Sequence, residues 1–228
     1  MNFKRYAIYY VPSNNLFYKL GSSWLGWDTI SGQPASQPET DSAVNIQKIT
    51  EAPRKYGLHA TIKAPFRLGN NVNALELERQ LEILCGSIKP IEFKLKLSEL
   101  SGFFALTPTV KNTEIRNLHT KVVRKLDYFR AQPTKEEIIK RRENQLTSEQ
   151  DQNLIKWGYP YIFEDFYFHI TLTGKIPEDL RNKVKDKIEN FFQPVLQQKI
   201  NLSELALVGE ATDGNFYVLR QMPLVLKT

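Results

Sequence analysis

The amino-acid sequence predicts an α+β protein with a duplicated two-lobed fold. Each lobe is expected to be an antiparallel sheet with flanking helices, and the active-site cleft is expected between the lobes. Strand-type and helix-type segments alternate along the chain, and the order strand, helix, strand, hairpin partner occurs twice. The two copies also share markers, because Leu97 follows His59 by 38 residues and Leu202 follows His169 by 33. A Leu-Ser-Glu-Leu sequence starts at both leucines, so we interpret the two units as an internal duplication.

Composition limits the class of protein. With 228 residues, 41% hydrophobic and 25% charged, the chain can bury a core, so disorder as the default state is excluded. No stretch reaches the ~18 apolar residues of a membrane span, and the aromatic start resembles a strand more than a signal peptide. The lone Cys85 cannot form an internal disulfide, which favours a cytoplasmic protein. The net charge of +6 indicates anionic ligands but does not by itself indicate a nucleic-acid-binding protein.

The first half is predicted to begin with a strand over Phe3–Val11, which is aromatic and β-branched. A segment rich in Gly, Ser, Pro and Gln follows over Pro12–Asn45 and is interpreted as a long loop anchored by Trp24 and Trp27. The remaining elements follow from apolar periodicity: a strand over Leu58–Lys63, a helix over Ala74–Leu84, a strand over Ile91–Leu100 and its hairpin partner over Gly102–Thr107.

The second half is predicted to start with helices and to end with the second repeat. The elements are a helix over Glu114–Phe129, polar helices over Lys135–Arg142 and Ser148–Trp157, a strand over Phe166–Thr173, a helix over Glu178–Phe192, and strands over Gln198–Val208 and Asn215–Leu219. We therefore divide one duplicated domain, 1–228, into a first repeat over about 1–110, a helical insert over about 111–160 and a second repeat over about 161–228.

Two His-x-Thr-apolar motifs carry the chemistry. They are His59-Ala60-Thr61-Ile62 and His169-Ile170-Thr171-Leu172, at the same place in the two repeats. Residues i and i+2 of a strand share a face, so each His and its Thr point the same way. A pseudo-two-fold axis would place two imidazoles and two hydroxyls around one small anion. The alternative for each motif is structural, an imidazole that binds a neighbouring backbone group.

Such a site has the groups for phosphodiester chemistry without a metal. Imidazole titrates near pH 6.5, so a neutral ring can act as base while a protonated ring acts as acid. The hydroxyls of Thr61 and Thr171 can hydrogen-bond the non-bridging phosphate oxygens. We predict His59 and His169 as the catalytic pair, in an order that the sequence leaves open. His119, on a helix and without a partner motif, is interpreted as a surface or packing residue.

The two motifs, on strands of a duplicated α+β fold, resemble the 2H phosphoesterase superfamily. That superfamily has the LigT-like fold and includes RNA 2′,3′-cyclic phosphodiesterases. The surrounding sequence more closely resembles the DUF1045 branch, whose genes often lie in phosphonate-utilisation operons. The segments that carry this resemblance are Arg5–Tyr10, Arg54–Phe66, Trp157–Tyr161 and Phe166–Gly174. The resemblance implies a hydrolase but no particular substrate.

Secondary candidates follow from charge and aromatic content. Residues 46–69 around the first motif carry a local net charge of +4. Strand parity places Lys63 on the face of His59, where it could contact a terminal phosphate, although a solvated lysine at a strand end is an equal alternative. Arg67 and Arg54 are weaker candidates of the same type. Tyr6, Tyr159 and Tyr161 could line the cleft or stack on a base or sugar, and the alternative for them is a structural role as core or rim aromatics. Arg130, Arg141 and Arg142 lie in the insert, which is expected to cover the cleft.

The sequence lacks a phosphate-binding P-loop, a dinucleotide-binding glycine motif and a zinc-protease motif, so no metal or cofactor is predicted. The predicted ligand is a small anionic phosphate ester of a nucleotide or sugar, or alternatively an RNA end. A phosphonate-pathway intermediate is included among these. Neither membrane binding nor self-association is expected. The competing hypothesis is a nucleotide- or RNA-binding module without turnover, which would bind RNA with a steep salt dependence.

Overall fold

The computed structural model describes residues 3–12, 15–39 and 44–225. In these ranges the strands are β1 (Arg5–Tyr10), β2 (Trp27–Asp28), β3 (Gln33–Pro34), β4 (Ala60–Phe66), β5 (Ile91–Leu100), β6 (Phe103–Pro108), β7 (Ile170–Lys175), β8 (Lys199–Leu202), β9 (Glu204–Glu210) and β10 (Phe216–Pro223). The α-helices are α1 (Leu16–Leu25), α2 (Ile46–Ile49), α3 (Glu51–Arg54), α4 (Ala74–Cys85), α5 (Thr113–Lys125), α6 (Lys135–Arg142), α7 (Ser148–Trp157) and α8 (Arg181–Leu196).

Eight strands form one antiparallel sheet in the order β10-β9-β1-β4-β7-β6-β5-β8, and β2 and β3 form a separate ribbon. The sheet therefore has two four-stranded halves, which meet where β4 lies beside β7. This junction is narrow: in the described residues, β4 and β7 pair at Ala60 and Ile170. The predicted α+β class with antiparallel sheets is confirmed.

The strands of the two sequence repeats are interleaved in this sheet. Strand β4 of the first repeat lies in the half that contains β9 and β10 of the second repeat. Strand β7 of the second repeat lies in the half that contains β5 and β6 of the first. Each half is thus built from both repeats, and the junction between β4 and β7 lies at the centre of the whole sheet.

The predicted loop over Pro12–Asn45 is wrong in one part, because it contains helix α1. The Asn15 side chain accepts a hydrogen bond from the Tyr18 amide and caps the first turn, and Gly26, at φ +79°, ends the helix in the left-handed conformation. Trp24 is buried, and its indole nitrogen donates to the Leu172 carbonyl of β7 at 2.9 Å. Residues 13–14 and 40–43 of the predicted loop lie outside the described residues.

One face of the sheet packs into the core and the other carries the predicted site. Ala60 and Ile62 of β4 and Ile170 and Leu172 of β7 are fully buried, with 0% of their surface exposed. Since side chains alternate along a strand, the threonines between these apolar residues face away from the core. Among the described residues, no helix is long and apolar enough to cross a membrane.

Candidate active site

The residues of both His-x-Thr motifs line one pocket of about 470 Å³. Each histidine lies one residue before its strand, and each threonine lies on it. The pairing of Ala60 with Ile170 joins the middle residues of the two motifs. In an antiparallel pair this register brings His59 toward Thr171 and Thr61 toward His169. The predicted arrangement of two imidazoles and two hydroxyls around one space is therefore present.

The backbone orients both imidazoles in the same way. His59 Nδ1 lies 3.0 Å from the Gly57 carbonyl oxygen, and His169 Nδ1 lies 2.8 Å from that of Tyr167, two residues earlier in each case. A carbonyl oxygen only accepts hydrogen bonds, so Nδ1 carries the proton in both rings. In the neutral ring Nε2 is then the nitrogen with a free lone pair. A purely structural role, in which the imidazole binds a neighbouring backbone group, explains the Nδ1 contact of each histidine but gives no role to Nε2.

Burial favours the neutral form of both histidines. It lowers the pKa of His59 to about 4, against the opposing effect of the Gly57 carbonyl. A positive charge on His169 lowers the pKa of His59 further, so the two rings are close enough to oppose double protonation. Burial also lowers the pKa of His169, against the Tyr167 carbonyl. Tyr9 stacks on His59 with ring centroids 4.1 Å apart, which excludes water from one face of that imidazole.

The two threonine hydroxyls are available to a ligand. Thr61 and Thr171 are both half-buried on the pocket wall. Neither side chain hydrogen-bonds another residue in the part of the chain that the structure describes, whereas the nearby Thr173 hydroxyl accepts from the Phe104 amide at 2.9 Å. Two hydroxyl donors beside two imidazoles suit a tetrahedral oxyanion.

The charged side chains that line this pocket are all cations: Arg5, Arg141 and Lys175. The Arg5 guanidinium is held by Glu210, a hydrogen bond that raises the pKa of Arg5. Arg141, on α6, lies over the ring of Tyr159, with its guanidinium carbon 4.9 Å from the ring centroid. An arginine of the insert therefore does reach the cleft. Of the other two insert arginines, Arg142 pairs with Asp151 and Arg130 with Asp127.

Lys63 does not face this pocket, so that prediction is wrong. Its side chain is buried on the opposite side, where Nζ lies 3.3 Å from Asp127 Oδ1. Burial lowers the pKa of Lys63 to about 8, against the effect of Asp127. The parity argument failed because β4 is irregular: Tyr9 pairs with Thr61 but Ile8 pairs with Lys63, so one extra residue of β4 is inserted there.

The remaining candidates fall into two groups. Tyr159 lines the pocket, as expected. The others do not line it. Tyr6 points to the opposite face of β1 from Arg5 and Tyr9, and the ring of Tyr161 contacts that of Tyr159 edge-on. Arg67 pairs with Glu137 in an adjoining cavity, and Arg54 donates to the carbonyls of Leu25 and Gln47.

Sequence reasoning missed several residues that line the pocket, among them Arg5, Tyr9, Tyr56 and Lys175. Parity on β1 would have placed Arg5 and Tyr9 on one face, but choosing that face required the strand order. Lys175 was accessible to sequence reasoning, because it follows Thr171 and Thr173 at strand spacing.

His119 packs in the core, one of the two roles expected for it. Its Nδ1 donates to the Ile62 carbonyl at 2.7 Å, its Nε2 accepts from the Phe163 amide at 3.2 Å, and its ring stacks on Phe166. Burial lowers the pKa of His119 to about 4. Within residues 3–12, 15–39 and 44–225, no three His, Cys, Asp or Glu side chains are grouped to hold a metal.

Two curated proteins share more than 30% identity with this chain, and both are named ribose 1,5-bisphosphate phosphokinase PhnN. The protein from Janthinobacterium sp. (strain Marseille) is 36% identical over 176 residues, which are 75% of this chain and 39% of that protein. The protein from Laribacter hongkongensis (strain HLHK9) is 33% identical over 175 residues, 76% of this chain and 41% of that one. The chain thus spans about two fifths of the length of these relatives.

Solved structures with a similar backbone fold include Escherichia coli LigT complexed with NADP+, at TM-score 0.46 and 14% identity over 99% of each chain. Another is TT0787 of Thermus thermophilus, at TM-score 0.48 and 12% identity over 98% of this chain and 100% of that one.

The model of the family described as "Protein of unknown function (DUF1045)" matches residues 61–217, more than two thirds of the chain. The match begins at the threonine of the first motif and includes the whole of the second. The expected resemblance is confirmed, and this chain belongs to the DUF1045 family.

Proposed function

We propose that this protein is a metal-independent phosphoesterase that hydrolyses a cyclic or linear phosphodiester. One observation supports this proposal above the others: at the junction of β4 and β7, two His-x-Thr motifs face one pocket, and the Nδ1 atoms of both histidines bind backbone carbonyls. This leaves two Nε2 atoms and two hydroxyls for one ligand. His59 and His169 are the proposed acid–base pair, and Thr61 and Thr171 the proposed phosphate donors.

The proposed reaction uses the two imidazoles in opposite protonation states. The neutral ring takes a proton from water through Nε2, and the water oxygen forms a bond to phosphorus. The bond from phosphorus to the alcohol oxygen breaks, and the protonated ring gives its proton to that oxygen. The two threonine hydroxyls stabilise the charge on the non-bridging oxygens. The result is a phosphomonoester and an alcohol, which for a cyclic substrate remain in one molecule.

Charge supports an anionic substrate, because every charged side chain of the pocket wall is a cation. The curated relatives are named for a kinase of ribose 1,5-bisphosphate, so we include phosphorylated sugars beside nucleotides and RNA ends as candidate substrates. A cytoplasmic location, a monomeric state and a role in phosphonate metabolism remain predictions.

The test is hydrolysis of a panel of 2′,3′-cyclic nucleotides and cyclic sugar phosphates, with EDTA present. We expect turnover in EDTA, and a loss of at least about 10³-fold in kcat for His59→Gln and for His169→Gln, because each removes one proton-transfer group. His119→Gln is the matched control: it changes the third histidine, which lies outside the pocket, and its activity per folded molecule should be retained.

Two results would contradict the proposal. Near wild-type rates in both pocket variants would exclude the histidine mechanism, and loss of activity in EDTA would exclude the metal-free one. Salt-dependent RNA binding without turnover of any substrate would instead support the binding-module hypothesis.

A further inference from the structure

A second cavity of about 470 Å³ adjoins the histidine pocket and has no assigned role. The two share part of their walls, namely Arg5, Tyr56, Pro65 and Arg141. One small molecule can therefore bind between the two histidines and extend directly into the second cavity.

The wall of this second cavity carries strong positive charge. It contains six cationic side chains against two glutamates: Arg5, Lys55, Arg67, Arg130, Lys140 and Arg141, with Glu137 and Glu143. Two of the arginines are neutralised by carboxylates, since Arg67 pairs with Glu137 at 3.0 Å and Arg130 with Asp127 at 2.9 Å. Arg5 is likewise held by Glu210.

Three cations of this wall remain without a carboxylate partner among the residues that the structure describes: Lys55, Lys140 and Arg141. Lys55 lies over the ring of Tyr56 and Arg141 over that of Tyr159, so both are positioned by aromatic faces. Glu143 is the one carboxylate of this wall that pairs with no cation among the described residues, so the free charges around the concavity are positive on balance. Such a balance favours an anion with more than one negative charge.

Helix α6 holds two of these three cations, Lys140 and Arg141, at the cavity. Its first turn is fixed by a capping box between Thr134 and Glu137, and Glu137 also binds Arg67, which ties the helix to the segment after β4. Its last turn carries Lys140 and Arg141, where the partial negative charge of a helix C-terminus stabilises cations. The position of the charges is thus set by the helix and by the Arg67 pair.

We propose that the second cavity binds a terminal phosphate on the alcohol part of the substrate, so that the preferred substrate carries two phosphorus groups. This inference rests on the proposed phosphoesterase function and adds the chemical class of the substrate. Lys55, Lys140 and Arg141 are the phosphate-binding residues. A terminal phosphate, with up to two negative charges, matches the positive balance of this wall better than the single charge of an internal phosphodiester does.

The experiment compares adenosine 2′,3′-cyclic phosphate with the same molecule phosphorylated on its 5′ oxygen. We expect kcat/KM to be at least about tenfold higher for the 5′-phosphorylated form, as a charge-assisted hydrogen bond would give. In Lys140→Glu this preference should fall to twofold or less, whereas Lys183→Glu, the same change on α8 away from both cavities, should preserve it. A preference that is absent, or is retained in Lys140→Glu, would overturn the proposal.

A binding arm separates this inference from the proposed function. Calorimetry with the His59→Gln protein compares adenosine 2′,5′-bisphosphate with adenosine 2′-monophosphate. If no substrate is turned over but the bisphosphate binds about tenfold more tightly, and Lys140→Glu abolishes that difference, the phosphoesterase proposal fails while the second phosphate site stands. Equal affinities would overturn the second site.

A third arm identifies the source of the phosphate. An adenylyl dinucleotide that ends in a 2′,3′-cyclic phosphate presents an internal phosphodiester instead of a terminal phosphate. A lower kcat/KM than that of the 5′-phosphorylated mononucleotide supports the proposal. An equal or higher value would assign the second cavity to an RNA strand and overturn the terminal-phosphate assignment.

Discussion

At the residue scale, the two histidines face a conflict between burial and catalysis. Burial holds the pKa of His59 at about 4 and lowers that of His169, so both rings are neutral in the free protein at pH 7. Acid–base catalysis needs one of them protonated. A phosphate anion between the rings favours the protonated form and raises the pKa of a histidine beside it. Substrate binding would therefore supply the missing protonation state.

This coupling predicts different pH dependences for the free and the bound enzyme. The kcat/KM profile reports the free enzyme, so its alkaline limb should lie below pH 6.5, the ordinary value for imidazole, because burial lowers the pKa of both rings. The alkaline limb of kcat should lie about one pH unit or more higher, because the bound phosphate raises the pKa of the acid. Rates from pH 4 to 9 at constant ionic strength measure both limbs, and coincident limbs would contradict this coupling.

The threonine hydroxyls give a second prediction at this scale. Thr61→Val and Thr171→Val keep the shape of the side chain and remove the donor, so each should lower kcat by about 10²-fold, as loss of one oxyanion donor does. The Thr→Ser variants, which keep the hydroxyl, should recover most of that loss. Thr120→Val, on α5 outside the pocket, is the control. Equal losses in the Val and Ser variants would show that the methyl group matters and the hydroxyl does not.

At the scale of elements, His119 connects α5 to the sheet and to the segment before β7. It binds the Ile62 carbonyl and the Phe163 amide, so His119→Ala leaves two backbone groups unpaired and removes a buried ring. We expect a loss of about 3 kcal/mol in the free energy of unfolding, measured by urea titration. His119→Gln, which keeps polar atoms, should lose less. A change below about 0.5 kcal/mol in the Ala variant would contradict this role.

The same residue makes stability depend on pH. The pKa of His119 is about 4 in the folded protein and near 6.5 in an unfolded chain, so the unfolded state binds more protons between these values. Its contribution to stability is present above pH 6.5 and is lost as pH falls toward 4. As pH falls from 6.5 to 4, the free energy of unfolding measured by urea titration should therefore decrease less in His119→Gln than in the wild type, because the variant lacks this one titrating group.

The same elements show how far sequence reasoning extends. Sequence patterns predicted β5, α6 and α7 with the observed bounds: apolar and polar residues alternate along β5, and α6 and α7 were predicted as polar helices. It failed at α1, whose aromatic and polar residues lie among loop-type residues, and at Lys63, where an extra residue in β4 reverses the parity. A bulge depends on the partner strand, so the local sequence of β4 alone does not contain it.

At the scale of the whole molecule, the site exists only because the two repeats exchange strands. The motifs meet at the pair Ala60 and Ile170, and this pair joins two half-sheets that each combine strands of both repeats. The predicted duplication accounts for the symmetric placement of the two motifs. It does not predict that β4 and β7 each join the hairpin of the other repeat, because sequence order alone does not say which hairpin lies beside which central strand.

The exchange predicts that neither half of the chain folds alone. A cut after Asn144, in the exposed segment between α6 and α7, leaves the first fragment with two separate strand pairs of the eight-stranded sheet, β1 with β4 and β5 with β6. The second fragment keeps the β9–β10 pair but loses β1, which joins that pair to the rest of the sheet. Because isolated strand pairs are marginally stable, each fragment alone should show no cooperative urea transition.

The two fragments together hold every strand of the sheet, so when co-expressed they should associate and recover hydrolysis of the substrates that the intact chain accepts. His59→Gln in the first fragment, paired with the unaltered second fragment, is the control: it should associate without recovering activity. Both motifs are needed at one junction, so activity should require both fragments. A cooperative transition in either fragment alone, or hydrolysis by one of them, would show that a single repeat is a self-sufficient unit and would contradict the interleaved assembly.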